Sequence, residues 1–317
     1  MSSKKSIDII TSAYNEEDCL EELIDRIYGV MRNEPDYFFK FIIIDNGSVD
    51  STWRIISKAA SQNDNLIGIR MSRNFTFDSA LTCGLDHATS DAAVIMASDL
   101  QDPPEVIHNF LREYEKGYDQ VVAKIVSRKT VPLFRRVLTS LFYKIAFKMS
   151  SNLLPQYVSD FRLLSRKTYI AVNSLREKHR YLRGITAWVG FKTCSIDIER
   201  PPRFSGESKW LNMSISKVIT NATKSILSFS SIPLTWVSTV GILLSFFSFI
   251  TLILLVIFWL ISGVPFAGFA SLISVGILSF SILMLFLGIF SQYLGLIYEE
   301  VKNRPIYIVA ERINHEQ

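Results

Sequence analysis

Ala92-Ala93-Val94-Ile95-Met96-Ala97-Ser98-Asp99-Leu100-Gln101-Asp102-Pro103-Pro104 joins an apolar run to a cluster of oxygen-bearing side chains and then to two prolines. The run reads as a buried strand, and paired prolines suit the first turn of a following helix. The same order occurs twice upstream. Ile7–Thr11 leads into Ser12-Ala13-Tyr14-Asn15-Glu16-Glu17 and a helix over Glu16–Met31, where Leu20, Leu23, Ile24 and Ile27 fall at helical spacing. Phe39–Ile44 leads into Asp45-Asn46-Gly47-Ser48-Val49-Asp50 and a helix that Asp50 or Ser51 can cap. Leu66–Met71 and Gln120–Ile125 read as further strands, and Phe77–His87 as a helix. Strands alternating with helices predict an α/β fold with a mostly parallel sheet and right-handed crossovers. In an open parallel sheet the carboxyl ends of the strands share one edge, and ligands bind there. The three polar clusters are therefore expected to converge on one carboxylate-rich site.

The chain has 317 residues, 49% of them hydrophobic, and the apolar excess is concentrated. From Ser225 to Tyr298 there is no Asp, Glu, Lys, Arg or His. Such a stretch holds two spans of the roughly 20 apolar residues a bilayer needs. They read as Thr235–Leu260 and Gly268–Tyr293, broken at Ile261-Ser262-Gly263-Val264-Pro265. The expected division is 1–208 as the α/β domain, 209–231 as a juxtamembrane amphipathic helix, 232–298 as two transmembrane helices and 299–317 as a tail. Lys209, Lys217 and Lys224 precede the spans, and Lys302 and Arg304 follow them. That bias predicts an integral protein of the inner or plasma membrane with both termini cytoplasmic.

The net charge of +4 hides a segregation. Residues 1–123 carry 11 Lys/Arg and 21 Asp/Glu, whereas residues 124–224 carry 20 and 5. A basic block beside a bilayer anchor attracts anionic head groups, or serves as a positive-inside flank. No nucleic-acid motif accompanies it, which disfavours a nucleic-acid partner. Cys19, Cys83 and Cys194 are odd in number and widely spaced, as in a reducing compartment. The polar start, Met1–Ser6, runs straight into a strand and is not read as a signal peptide.

Asp99 is the sharpest candidate for chemistry. It follows an apolar strand, and a divalent cation is one partner such a carboxylate can take, with Gln101 supplying a second oxygen. The alternative is a helix cap, a role for which Asp102 is better placed. Asp45 could accept hydrogen bonds from a base or ribose, or be a turn residue of Asp-Asn-Gly-Ser. Arg128, Lys129, Arg135 and Arg136 could bind phosphate, with Ser140 on the Arg136 face of a helix over Pro132–Met149, or form a solvated basic face. Four scattered histidines, no nucleophilic triad and no Walker loop exclude the commoner alternatives.

With these residues in hand, the chain resembles the family 2 glycosyltransferases of GT-A fold. More narrowly, it is similar to polyprenyl-phosphate glycosyltransferases, the dolichyl-phosphate mannose synthase and bactoprenol glucosyltransferase group. The signatures are Ala13–Glu17, Asp45–Thr52, Ser72-Arg73-Asn74-Phe75, Ser98–Pro104, Ser159–Arg166, His179–Gly184, Gly206–Trp210 and the paired spans. The resemblance implies a nucleotide-sugar donor, Mg²⁺ or Mn²⁺, and a polyprenyl (undecaprenyl or dolichyl) phosphate acceptor. UDP-glucose is the leading donor by likeness alone. It implies that Ala13, Tyr14, Glu16 and Asp45 hold the nucleotide, that Asp99 and Gln101 bind metal and diphosphate, and that Arg128, Arg136 and Ser140 hold the acceptor phosphate. Asp160, Arg162 and Lys209 then lie near the reacting centre. Two positions depart from the family pattern. The usual Asp-x-Asp is Ala97-Ser98-Asp99, and the second acid of Asp-Asp-Gly-Ser is Asn46.

The expected reaction is a single inverting displacement by a phosphate oxygen. Asp160 is read as an orienting group ahead of a base. A processive polysaccharide synthase would need more spans and a Gln-x-x-Arg-Trp signature, and neither is seen. A degenerate membrane-anchored scaffold is the non-enzymatic alternative. A homo-oligomeric state is left open.

Overall fold

A computed structural model describes residues 4–127, 158–178, 180–202, 204, 232–262 and 268–314. The helix expected over Pro132–Met149 and the one expected over 209–231 lie outside the described residues, as do Arg128, Arg136, Ser140, His179 and Lys209. The elements follow in the order β1 (Lys5–Ala13), α1 (Glu17–Asn33), β2 (Tyr37–Asp45), α2 (Thr52–Gln62), β3 (Leu66–Met71), α3 (Phe77–Asp86), β4 (Ala92–Ala97), α4 (Val106–Glu115) and β5 (Gln120–Ser127). After these come β6 (Val158–Ser165), α5 (Arg166–Ser174), α6 (Leu182–Trp188), β7 (Thr193–Glu199), α7 (Ile232–Ser262), α8 (Phe269–Val301) and β8 (Val309–Ile313).

One eight-stranded sheet runs in the order β7-β5-β6-β4-β1-β2-β3-β8. β1 pairs in parallel with β2 and β4, β2 with β3, and β5 with β7. Two strands run the other way. β6 is antiparallel to both β4 and β5, and β8 is antiparallel to β3. The inner strands β6, β4, β1 and β3 are largely buried on both faces, as near-continuous apolar strands require, whereas the edge strands β7 and β8 are largely exposed. Ile7, Ile9, Phe41 and Val94 join Leu20, Leu23 and Ile27 of α1 and Ile107 and Phe110 of α4 in one cluster. On the other face α3 packs so closely that a methyl group on Gly84 would collide with Ile10 Cγ2. Thr76 caps α3, its Oγ1 accepting from Ser79 N–H at 3.1 Å.

The chain forms two compact units, Met1–Thr220 with Pro305–Gln317, and Asn221–Arg304. The last strand therefore belongs to the sheet unit, although residues 299–317 read as a simple tail. Ser72 N–H donates to Ile308 O at 2.9 Å, Tyr307 Oη donates to Asp86 at 2.8 Å, and Asn314 bridges the carbonyls of Ala60, Asn63 and Leu66. In the second unit, α7 and α8 are both long and apolar enough to cross a membrane. Phe246, Phe247, Leu278, Leu285 and Phe290 on them are all exposed. At ~1.5 Å per residue either helix exceeds a ~30 Å hydrocarbon core.

Gly84 gives this packing a direct test. Gly84→Ala should destabilise the sheet unit by about 1–3 kcal/mol, the cost of overpacking a filled core. A thermal midpoint equal to that of the unsubstituted protein would remove the close contact between α3 and β1.

Candidate active site

The register of the sheet sets the site. At the carboxyl edge Ala13 pairs with Asp45, Asp45 with Arg70, and Ser12 with Ala97. β6, being antiparallel, begins at the edge where β4 ends, with Ile95 opposite Arg162. Continuing that register brings Asp160 beside the end of β4. β7 ends at the same edge, and Arg200 follows it.

The loops after β1 and β2 are laced together. Asn46 N–H donates to Ala13 O at 2.8 Å, Asn15 N–H to Ser48 Oγ at 3.0 Å, and Val49 N–H to Asn15 Oδ1 at 3.0 Å. Glu16 N–H donates to Thr52 Oγ1 at 2.9 Å. Ala13 and Glu16 are buried and Tyr14 is half-buried. Gly47, at φ +73°, lies against the backbone of the next loop, where a Cβ would sit 2.6 Å from Asn74 N. Asn46 holds that loop at two points. Its Oδ1 accepts from Phe75 N–H at 2.8 Å and its Nδ2 donates to Phe75 O at 3.4 Å. A carboxylate at this position could make only the first bond and would face the carbonyl with like charge. The Asn46 departure is thus a structural choice, coupling the β2 and β3 loops.

Asp45 is fully buried. Ser48 N–H donates to its Oδ1 at 2.9 Å. Arg70 Nε lies 3.3 Å from Oδ2 but off the hydrogen-bonding line, so this oxygen has a charge partner and no hydrogen bond among the described residues. Burial raises the Asp45 carboxyl above the usual value, against the opposing effects of Ser48 and Arg70.

Asp99 stands on a strained turn. Leu100 has φ +58° with its side chain buried, an uncommon backbone state for a bulky residue. Gln101 N–H donates to Asp99 Oδ1 at 3.2 Å, and both residues are half-buried. The expected capping role of Asp102 is corrected. α4 starts at Val106 without a side-chain cap, and Asp102 is fully buried. It accepts from Ala97 N–H at 3.2 Å and from Arg200 Nη2 at 2.7 Å. A carboxylate this deep needs a cation more than a helix end needs a cap. No group of three His, Cys, Asp or Glu among the described residues could hold a metal. Asp99 with Gln101 therefore suits a cation that takes further ligands from substrate phosphates, as Mg²⁺ commonly does, and does not suit an all-protein cage.

Asp160 and Arg162 occupy the start of β6. Arg183 grips both Asp160 oxygens, from Nε at 2.6 Å and Nη2 at 2.5 Å. Arg162 is buried, donating to Ser159 O at 2.7 Å, to Asp160 O at 3.2 Å and to Thr186 Oγ1. Burial lowers the Arg162 guanidinium to about 10. The structure thus brings Ala13, Tyr14, Glu16, Asp45, Asp99, Gln101, Asp160 and Arg162 to the carboxyl side of one sheet. Reading the residues alone missed Arg70, Asp78, Arg183 and Arg200. Of these, Arg183 lies inside the His179–Gly184 signature, which marked the segment without assigning it work.

A model of "Glycosyl transferase family 2" matches residues 8–172, from β1 into α5. The chain is 33% identical to a glycosyltransferase of Synechocystis sp., over 96% of this chain and 95% of that one. It is 32% identical to the SfII prophage-derived bactoprenol glucosyl transferase of Shigella flexneri, over 96% and 97%. It is also 32% identical to a prophage bactoprenol glucosyl transferase homologue of Escherichia coli K12, over 96% and 98%. Among solved structures, glucosyl-3-phosphoglycerate synthase from Mycobacterium tuberculosis, in complex with Mn²⁺, UDP and phosphoglyceric acid, shares the fold with a TM-score of 0.50. That likeness has 18% identity and covers 70% of this chain and 76% of the other. The mostly parallel sheet is the GT-A fold, its edge residues from Ala13 to Arg162 lie within the matched segment, and the chain belongs to glycosyl transferase family 2.

Proposed function

We propose that the protein transfers one glucose from UDP-glucose to a polyprenyl phosphate, with inversion, at the cytoplasmic face of a membrane crossed by its two apolar helices. The relatives named for bactoprenol glucosyl transfer support the sugar and the acceptor class. The observation that carries the reading is the convergence of Asp45 at the end of β2, Asp99 just after β4 and Asp160 near the start of β6, within the adjacent run β6-β4-β1-β2. The Asp45 oxygen without a hydrogen bond suits a donor group of the nucleotide.

The nucleophile is a phosphate monoester oxygen. Its second pKa is near ~6, so it is largely a dianion at neutral pH and needs no general base. A bond forms from that oxygen to the anomeric carbon as the bond to the donor diphosphate breaks, and the nucleoside diphosphate leaves with the electron pair. Asp99 and Gln101 would hold Mg²⁺ or Mn²⁺, which neutralises diphosphate charge when bound. Ala13, Tyr14, Glu16 and Asp45 bind the nucleotide. Asp160, already gripped by Arg183, orients the reacting groups beside Arg162. Arg128, Arg136, Ser140 and Lys209 bind the acceptor phosphate, for which guanidinium forks are matched.

The test is the full chain in detergent with UDP-glucose, undecaprenyl phosphate and Mg²⁺ or Mn²⁺. Release of UDP and a lipid product heavier by one hexose are expected, with loss on chelation and recovery on adding metal back. A polymeric product, or no product from a broad donor panel, overturns the proposal. Asp99→Ala should lower turnover by ~10²–10³-fold, the scale of removing one charge-stabilising group. Near-normal activity in that variant would remove Asp99 from the site. Arg128→Ala and Arg136→Ala should each raise the acceptor KM by ~10–100-fold, from the loss of about 1.5–3 kcal/mol of hydrogen bonding to a charged group. An unchanged acceptor KM in both would remove the phosphate assignment.

A further inference from the structure

Asp78 lies in the first turn of α3, two residues after the Thr76 cap and three after Phe75, which Asn46 holds at two points. Its Oδ1 accepts a hydrogen bond from Leu182 N–H at 3.0 Å. Leu182 opens α6, and Arg183 is the next residue. The turn into α6 is anchored from the other side as well, because Arg180 donates to Val172 O at 3.0 Å and to Leu175 O. From there the Arg183 fork reaches both Asp160 oxygens. Arg162 holds the Asp160 main chain and also reaches Thr186 on α6, so strand and helix are joined twice. A continuous path of bonds thus runs from the donor-side loops through Asp78 and α6 to the Asp160 carboxylate.

We propose that Arg183 is a positioning residue for the transfer, fixing the Asp160 carboxylate in one orientation, and that Asp78 aims Arg183 by anchoring the start of α6. The proposal rests on the reading of the carboxyl edge as a sugar-transfer site. A bidentate fork fixes both the place and the plane of a carboxylate, which a point charge on a flexible stem does not. The pair is largely sheltered, at 25% and 18% side-chain exposure for Arg183 and Asp160, so water cannot readily replace the grip.

The charged groups facing Asp160 among the described residues are Arg162 on its own strand, Arg183 on α6, Arg200 after β7 and Asp78 on α3. Burial works to raise the Asp160 carboxyl, and Arg183, Arg162 and Arg200 overcome it, holding the group below the ordinary aspartate value. Burial, helped by the Asp160 charge, pushes Asp78 up to about 6. Removing the Arg183 cation should therefore raise the pKa of Asp160.

The experiment compares Arg183→Gln, Arg183→Lys, Asp78→Asn and Asp78→Ala in the full chain in detergent, with UDP-glucose and undecaprenyl phosphate. Arg183→Gln is expected to lower kcat by about 10²-fold, the scale of a 1 Å misplacement, with the donor KM little changed. The Asp160 carboxylate, followed by its infrared band in the purified protein, should protonate at higher pH than in the unsubstituted protein, a shift that a merely structural arginine would not produce. Arg183→Lys should recover part of the loss, because it keeps the charge and loses the fork. Asp78→Asn still accepts from Leu182 N–H and should exceed Asp78→Ala. A kcat matching the unsubstituted protein in folded Arg183→Gln, or an unmoved Asp160 titration, overturns the proposal. If that variant does not fold, full kcat in Arg183→Lys overturns it equally. Lack of turnover by the unsubstituted protein would sink the function reading alone. A double-mutant cycle of Asp160→Asn with Arg183→Gln on the thermal midpoint still judges the grip, with non-additive shifts upholding it and additive shifts removing it.

Discussion

A carboxylate at the end of a strand covered on both faces loses water, and only a cation or well-aimed donors can offset that loss. Three carboxylates at the carboxyl edge meet this constraint in the same way. Asp45 faces Arg70, Asp102 faces Arg200 and Asp160 faces Arg183. Asp102 and Asp160 take their arginines from elements far along the chain, so neutralising them also closes the edge. Breaking such a pair by removing one partner typically costs about 3–5 kcal/mol, because the other charge stays buried. Asp99 differs from the three. It is half-buried and set on its own turn by Gln101 N–H, with Leu100 beyond it at a φ that costs of order 1–3 kcal/mol. The buried pair of Asp102 with Arg200 holds this turn in place, because Asp102 also accepts from Ala97 N–H at the end of β4.

The two reversed strands complete the arrangement. A purely parallel sheet offers only strand ends to its carboxyl edge. β6 offers a strand start, and so delivers Asp160 and Arg162 next to the Asp99 turn. β8 does the same on the far side, where Val309 pairs with Met71. Its outward surface is polar and exposed at Glu311 and Arg312, which suits an edge strand that must not pair with a neighbour.

The parallel strands and their helices were legible because their signal is local. Leu66–Met71 and Ala92–Ala97 coincide with β3 and β4, and α1 buries the residues whose spacing marked it. β6 was not legible as a strand. It carries Asp160 and Arg162 inside an eight-residue element, and such charges become tolerable only once Arg183, Ser159 and Thr186 surround them. β8 is too short and too polar for an alternation signal, and α6 has only seven residues. The site followed the same division. Asp45 and Asp99 stood out by position and Asp160 through the family resemblance, whereas Arg70 and Arg183 could not be paired with Asp45 and Asp160 without the fold. Asp102 misled because a cap is a local inference and its burial is not. Asn46 looked like a lost carboxylate, but its amide is the group that can both donate to and accept from Phe75.

The charge segregation gains a sharper meaning from these pairs. Part of the basic block serves the acidic half internally, as Arg176 binds Asp86, Lys167 binds Asp119 and Arg200 binds Asp102. Arg183 is likewise taken by Asp160. In the sequence, basic residues also cluster in two further stretches. Residues 128–157 carry six Lys/Arg and no Asp or Glu, and residues 203–231 carry four and one. No acid within those stretches can neutralise the first, and only Glu207 can offset the second. An anionic partner is the economical answer to such an excess, and the same two stretches contain Arg128, Arg136, Ser140 and Lys209, which we propose bind the acceptor phosphate. On the proposed function, a carboxylate-rich edge that takes a cation and a diphosphate and basic stretches that take an anion would be complementary, and one nucleotide-sugar and one lipid phosphate would meet both demands together.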